Sequence, residues 1–141
     1  MEKNYYDTSI EVKYRDTDSV GNLSSTVYYD YLQHAYLRYM FDLLELPREE
    51  KLPHIMVKTE CEYVMPAKFG DVLTIKSGVT KFGTKSFEIE HLMYKNAVGE
   101  GEAKLVAKGT SKHVMFDYEK NQSVVVPEEF KKRVLDFQER A

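Results

Sequence analysis

The 141 residues, 43% of them hydrophobic and 13% aromatic, suit one domain with a real core and are too few for two. Twenty basic against 23 acidic residues leave a formal net charge of -3 with no basic block to track a phosphate backbone, which argues against nucleic-acid binding. No run approaches the roughly 18 apolar residues of a membrane span, and the single cysteine, Cys61, excludes an intrachain disulfide.

The opening "MEKNYYDTSIEV" lacks the basic and apolar regions of a secretion signal, so a soluble cytoplasmic protein is expected. In "SIEVKYR", Ile10, Val12 and Tyr14 alternate with Glu11, Lys13 and Arg15, the period of a half-buried strand that Tyr14 ends. The loop "DTDSVGN" follows. From Ser24 or Ser25, either a good N-cap, the chain runs to about Leu46 without Gly or Pro, and Pro47 lies just beyond. Val27, Tyr28, Tyr31, Leu32, Ala35, Tyr36, Tyr39, Met40, Leu43 and Leu44 keep a helical spacing, and charges are sparse. A long central helix covered over most of its circumference is therefore expected.

Strand-like runs come next: "HIMVKTECEYVM", "DVLTIKSGVTKF" with Leu73, Ile75 and Val79 in phase, and "KSFEIEHLMYK" with Phe87, Ile89 and Met93 in phase. In the run 102–117, Lys104, Lys108 and Lys112 share a face with Val114 and Phe116, which predicts a bulge, bend or change of environment near residue 113. Gly83 and Gly99 supply turns, and "VPEEFKKRVLDFQERA" reads as an amphipathic helix with Pro127 at its first position. One strand, a long helix, then four strands gives an α+β antiparallel sheet of about five strands around the helix, a single domain over 1–141.

Chemistry concentrates before the helix, where Asp16, Asp18 and Asn22 cluster. Such an Asx-rich loop caps turns with its side chains. Equally, a buried helix N-terminus offers free N–H donors and the positive end of a dipole for a developing oxyanion, and an acid one turn away could attack the same carbonyl or activate water against it. The five tyrosines between 28 and 39 line a ligand tunnel or, as their spacing favours, form core or a subunit interface. His34 has no paired nucleophile, Cys61 reads as an apolar filler, and Lys81 and Lys85 flank a turn where they either bind a phosphate-bearing handle or stay solvated. The histidines at 34, 54, 91 and 113 show no close-spaced ligand pattern, so no metal site is expected, and G-x-S-x-G, H-E-x-x-H and a Gly-rich phosphate cradle are absent.

These residues resemble the hotdog-fold acyl-CoA thioesterases of the 4-hydroxybenzoyl-CoA thioesterase type. The likeness runs through Tyr14, Asp16-Thr17-Asp18, Gly21, Asn22-Leu23-Ser24-Ser25, Val27-Tyr28, Tyr31 and Ala35, and again through "YVMPAKFGDVLTI". The resemblance implies that Asp18 is the catalytic carboxylate and that the Ser25 backbone N–H polarises the thioester carbonyl. Tyr28, Lys81 and Lys85 become candidate substrate contacts, Asp16 a supporting acid. It further implies an acyl-CoA substrate with no cofactor beyond it, and a homodimer or homotetramer with sites between subunits. The sequence departs from the family's usual His-Val-Asn-Asn at Asn22, Ser24 and Ser25, and from a frequent Glu at Gln33. The alternatives are a non-catalytic acyl-thioester-binding hotdog module and an acyl-carrier-protein thioesterase.

Overall fold

In the computed structural model, which describes residues 3–140, Met1, Glu2 and Ala141 lie outside the described residues. The elements are β1 (Tyr6–Glu11), α1 (Val27–Leu44), β2 (His54–Tyr63), β3 (Val72–Phe82), β4 (Ser86–Lys95), β5 (Lys104–Asp117), β6 (Gln122–Ser123) and α2 (Glu128–Glu139). The strands form one antiparallel sheet in the order β1-β3-β4-β5-β2, with the two-residue β6 on β5. Because β1 and β2 take the two edges, the chain must cross the whole sheet between them, and α1 is that crossing. This is the expected α+β hotdog arrangement, a sheet curved around one long helix. No helix among the described residues is long and apolar enough to cross a membrane.

Tyr28, Tyr31, Leu32, Ala35, Tyr36, Tyr39 and Met40 form the buried stripe of α1, spaced three and four apart as a face on a sheet requires. Its opposite face, with Tyr29, Asp30, Gln33, His34 and Arg38, is exposed, while the remaining helix residues other than Asp42 are buried or half-buried within one chain. A single sheet can cover only one side of a helix. The helix sits close to that sheet because position 109 is glycine: a Cβ there would meet Leu32 Cδ1 at 2.6 Å. Its ends differ from the sequence reading. Thr26, not Ser24 or Ser25, is the N-cap and makes no side-chain cap bond, and the chain leaves the helix at Glu45 in a left-handed turn (φ 54°), before Leu46.

Inward-facing residues of the sheet form two apolar clusters, one under each half of α1. A polar row packs against the second cluster. His91 shares hydrogen bonds with Ser77 (2.7 Å) and Ser111 (3.1 Å), and Ser111 with His113 (2.7 Å). The His113 ring stacks on Tyr36 at 4.0 Å, and the Tyr36 hydroxyl bonds His54 Nδ1 at 2.6 Å. Burial pushes the imidazoles down, His54 to about 4, His91 to about 3 and His113 to about 2, so all three are neutral near pH 7.

One local expectation needs correction. Tyr14 does not end a strand: β1 stops at Glu11, and Tyr14 begins a short 3-10 turn, Tyr14–Asp16, where it is 77% exposed. Near residue 113 the expected change of environment is present: β5 runs on, but its lysine face passes from exposed Lys108 and Lys112 to half-buried Val114 and Phe116, and the register shift opposite it falls in β2 between Met56 and Lys58. At the other end, α2 packs Phe130 and Val134 into the core, with Pro127 one residue outside as N-cap, and Gln138 Nε2 donates to the Val79 carbonyl at 2.8 Å.

Candidate active site

Between β1 and α1 the chain makes the acid-rich loop, and the structure separates the two acids by what holds them. Asp16 turns inward: its Oδ2 accepts the Tyr31 O–H at 2.6 Å. Burial and that carboxylate push the Tyr31 phenol far above its usual range, so it remains a donor. Asp18 instead folds its own loop. Its N–H donates to the Asn22 carbonyl (2.8 Å), its carbonyl accepts from Gly21 (3.1 Å), and its Oδ1 accepts from both Val20 and Asn22 N–H at 3.0 Å. Gly21 has φ +82°, a conformation that strains residues bearing a Cβ. Oδ2 of Asp18 has no hydrogen-bond partner among the described residues. Turn capping and a chemically free oxygen thus coexist on one carboxylate.

The loop is pinned to the β2–β3 connection. Leu23 N–H donates to the Ala67 carbonyl at 2.7 Å, and Asn22 pairs with Lys68. Ser24 N–H donates back to the Asp16 carbonyl at 2.9 Å. Ser25 comes next, exposed, and its N–H makes no backbone hydrogen bond among the described residues. Its carbonyl accepts the Tyr63 O–H at 2.7 Å. Tyr63 packs edge-on against buried Tyr28 at 4.9 Å, and the Tyr28 oxygen accepts the Ala67 N–H at 3.4 Å. Burial raises the Tyr28 phenol, which therefore stays neutral. Asp18, Ser24, Ser25, Tyr28, Tyr63 and Pro66 face one open depression of about 480 Å3. An oxygen nucleophile or base, a backbone donor at the start of a helix and aromatic walls are the parts an acyl-transfer site requires.

Asp18, Ser25 and Tyr28 come together as the sequence suggested. Lys81 and Lys85 do not join them within the chain. Their hairpin lies where Ser86 pairs with Val114 and Val114 with Ile55, at the His54 end of the sheet, whereas the Asp18 loop is fastened near Tyr63 and Ala67. Lys81 sits 3.7 Å from Glu88. Of the helix tyrosines only Tyr28 reaches the depression; Tyr31 holds Asp16, Tyr36 holds His54, Tyr39 stacks with Tyr6 and Tyr29 is exposed. His34 is on the open face of α1, and burial raises the Cys61 thiol to about 11, unsuited to nucleophilic work near pH 7. Among the described residues no group of three or more His, Cys, Asp or Glu could hold a metal ion. Tyr63 is the residue that sequence reasoning missed. Its aromatic in "CEYVMP" was visible, but its reach to Ser25 depends on how β2 lies against α1.

A model of the Thioesterase-like superfamily matches residues 12–134. No curated protein gives a significant sequence match. Among solved structures, a predicted thioesterase from Bacillus stearothermophilus is 18% identical with a TM-score of 0.81, over 96% of this chain and 98% of that one. A thioesterase from Thermus thermophilus, solved with coenzyme A and Zn, is 22% identical with a TM-score of 0.81, over 98% of each chain. The 4-hydroxybenzoyl CoA thioesterase of Pseudomonas sp. strain CBS-3 is 22% identical with a TM-score of 0.78, over 94% and 99%. At these identities the structural likeness is one of fold.

Proposed function

Because this chain belongs to the Thioesterase-like superfamily, we propose that it hydrolyses acyl-CoA thioesters to a carboxylic acid and coenzyme A, with no resident cofactor. The observation that carries the reading is the divided use of Asp18, one oxygen fastened by two loop N–H groups and the other free, beside the unbonded Ser25 N–H. Neighbours of the same fold add the substrate class: a point mutant of 4-hydroxybenzoyl CoA thioesterase is complexed with 4-hydroxybenzoyl CoA, and the Thermus protein with coenzyme A.

In this mechanism the thioester oxygen lies against the Ser25 N–H and the positive end of α1, which stabilise the tetrahedral oxyanion. Tyr63 anchors the Ser25 carbonyl, in the peptide that follows the donating N–H, and so restrains the backbone at Ser25, and Tyr28 walls the substrate. The ionised Asp18 acts by one of two routes. As nucleophile, its oxygen bonds to the carbonyl carbon, the C–S bond breaks, coenzyme A leaves as thiolate, and water then cleaves the mixed anhydride to regenerate the carboxylate. As general base, it takes a proton from the water that attacks the same carbon; the C–S bond then breaks, coenzyme A leaves as thiolate, and the proton passes from Asp18 to solvent or the departing sulfur. Asp18→Asn retains an acceptor for the Val20 and Asn22 N–H groups, so the variant should fold and bind acyl-CoA. Its kcat, followed by thiol release, should fall about 10²–10⁴-fold. Turnover near wild type would overturn the assignment.

The same reading makes the protein a cytoplasmic homodimer, paired further into a homotetramer. Support comes from the free edge of β2, where Val57 is 56% exposed and Lys58 and Glu60 are exposed neighbours on one face. A second copy added antiparallel about Thr59 would set Lys58 opposite the other copy's Glu60 and carry that copy's Lys81 and Lys85 to the Asp18 end of the joined sheet. A role for these lysines at the site therefore depends on the dimer. Analytical ultracentrifugation checks the assembly, and a stable, fully active monomer would overturn it.

A further inference from the structure

The acid that the proposed chemistry leaves unused, Asp16, holds the two segments that carry the working groups. Residues 16–18 run antiparallel to 22–24 as a small hairpin: Asp18 N–H donates to the Asn22 carbonyl at 2.8 Å, Thr17 pairs with Leu23, and Ser24 N–H donates to the Asp16 carbonyl at 2.9 Å. Asp18 ends one arm and Ser25 follows the other. At the base of the hairpin, the backbone of Asp16 therefore joins the arm of the carboxylate to the arm that leads into the oxyanion donor.

Its side chain reaches the helix. The Tyr31 O–H donates to Asp16 Oδ2 at 2.6 Å, a length typical of a hydroxyl bonded to an ionised oxygen. Tyr31 is 7% exposed and packs in the apolar cluster with Tyr28, Leu32 and Ala35, so its ring has little freedom to follow a moving loop. Among the described residues this is the only side-chain hydrogen bond between the hairpin and α1. The remaining ties of the hairpin, Leu23 N–H to the Ala67 carbonyl and the pairing of Asn22 with Lys68, fasten it to the β2–β3 connection instead. Its placement against α1 is left to Asp16. That placement matters because reacting groups lose rate steeply when displaced by about 1 Å.

We infer that Tyr31 and Asp16 are positioning residues whose hydrogen bond clamps the hairpin to α1 and so holds the Asp18 carboxylate in register with the Ser25 N–H. The reaction they serve is the thioester hydrolysis proposed above, and the inference rests on that reading. Tyr31→Phe keeps the buried ring and removes only the donor. In this variant kcat per folded molecule should fall roughly 10- to 100-fold with KM within about twofold, because a bond to a charged group is lost from the transition state and no substrate contact is removed. The loss should be equal for an acyl-CoA and for the same acyl group carried on N-acetylcysteamine, which present the same carbonyl. Asp16→Ala should match Tyr31→Phe, and the double variant should be no worse than either, as two halves of one bond require. Asp16→Asn keeps an oxygen to accept the Tyr31 O–H and should restore turnover to within about threefold of wild type.

Amide hydrogen exchange, read by mass spectrometry, tests the clamp without turnover. In Tyr31→Phe and Asp16→Ala, peptides covering 16–26 should exchange about tenfold faster than in wild type, with Asp16→Asn and the peptides of β4 unchanged. Unaltered protection of 16–26 would overturn the inference, as would a raised KM with kcat retained or additive losses in the double variant. A kcat loss in Asp16→Asn as large as in Asp16→Ala would overturn it too, since the charge and not the bond would then be the agent. So would a lower thermal midpoint with kcat unchanged, which would make the pair a structural tie alone. If wild type released no thiol from either thioester while Tyr31→Phe loosened 16–26, the hydrolase reading would fail and the clamp would stand.

Discussion

The two ends of α1 handle ionisable side chains in opposite ways. At the C-terminal half, three imidazoles are sealed beneath the helix, bonded to serines and a tyrosine and held neutral by burial. At the N-terminus, a carboxylate stands at the surface with one oxygen committed to its loop and one open. Strongly shifted groups mark functional sites in general, but here the imidazoles that burial pushes down belong to the structural end. His91, His113 and the serines bonded to them are at most 2% exposed and out of reach of a substrate, whereas Asp18 has a backbone donor and an open depression in reach. Geometry and access outrank the size of the shift.

If that contrast is right, substitutions at the two ends should damage different properties. Asp18→Asn should give the largest effect on chemistry, the 10²–10⁴-fold loss of kcat already stated, with the thermal midpoint unchanged. A fall in the midpoint with kcat preserved would reverse the two roles.

Acid should act on the other end. In the unfolded chain each of His54, His91 and His113 titrates near 6.5, while in the fold their values lie at about 4, 3 and 2. A depressed histidine means that the fold prefers the neutral form. Its contribution is therefore complete above 6.5 and is lost as pH falls below it, until the folded values are reached. With three sites refusing protons that the unfolded chain accepts, the slope approaches about 4 kcal/mol per pH unit. Against a total stability of about 5–15 kcal/mol, cooperative unfolding should occur between roughly pH 6 and 4, and circular dichroism with proton-uptake calorimetry would register it. An unchanged fold at pH 4 would show that the row is hydrated or already protonated.

His91→Ala should follow in size. It leaves the Ser77 and Ser111 hydroxyls without their shared partner and opens a cavity at a fully buried position, costing about 2–4 kcal/mol. Chemical denaturation would measure this, and thiol release per folded molecule should stay within about twofold of wild type. A large kcat loss in fully folded protein would tie the His row to catalysis after all.

The sequence made some of this contrast legible and hid the rest for identifiable reasons. Asp18 and Ser25 are seven positions apart, so a local motif was enough to bring them together. The sheet phase was readable too: His91 falls in step with Phe87, Ile89 and Met93 and points inward with them. What that phase could not supply was its neighbours, because Ser77, Ser111 and His113 meet His91 only through the β3-β4-β5 register. Lys81 and Lys85 illustrate the same limit, since whether a hairpin lies at the Asp18 end or the His54 end is a property of topology. Tyr14 was misplaced for a different reason. Strict alternation continued through it, but the chain had already bent into the 3-10 turn after Val12, with Asp16 drawn to Tyr31.

Tyr63 offers the finest cut between the two ends, because its bond joins the sheet to the catalytic helix start without burying anything. Tyr63→Phe keeps the ring that packs on Tyr28 and removes only the hydroxyl that fixes the Ser25 carbonyl. An exposed neutral hydrogen bond contributes about 1 kcal/mol net. If the bond acts on the orientation of the Ser25 N–H, that energy appears in the transition state as a roughly fivefold loss of kcat. KM and the thermal midpoint should then barely move. A lower midpoint with unchanged kcat would mean that the bond merely ties β2 to α1. Equal loss of kcat for an acyl-CoA and its N-acetylcysteamine counterpart would locate the effect at the thioester, where the two substrates are the same.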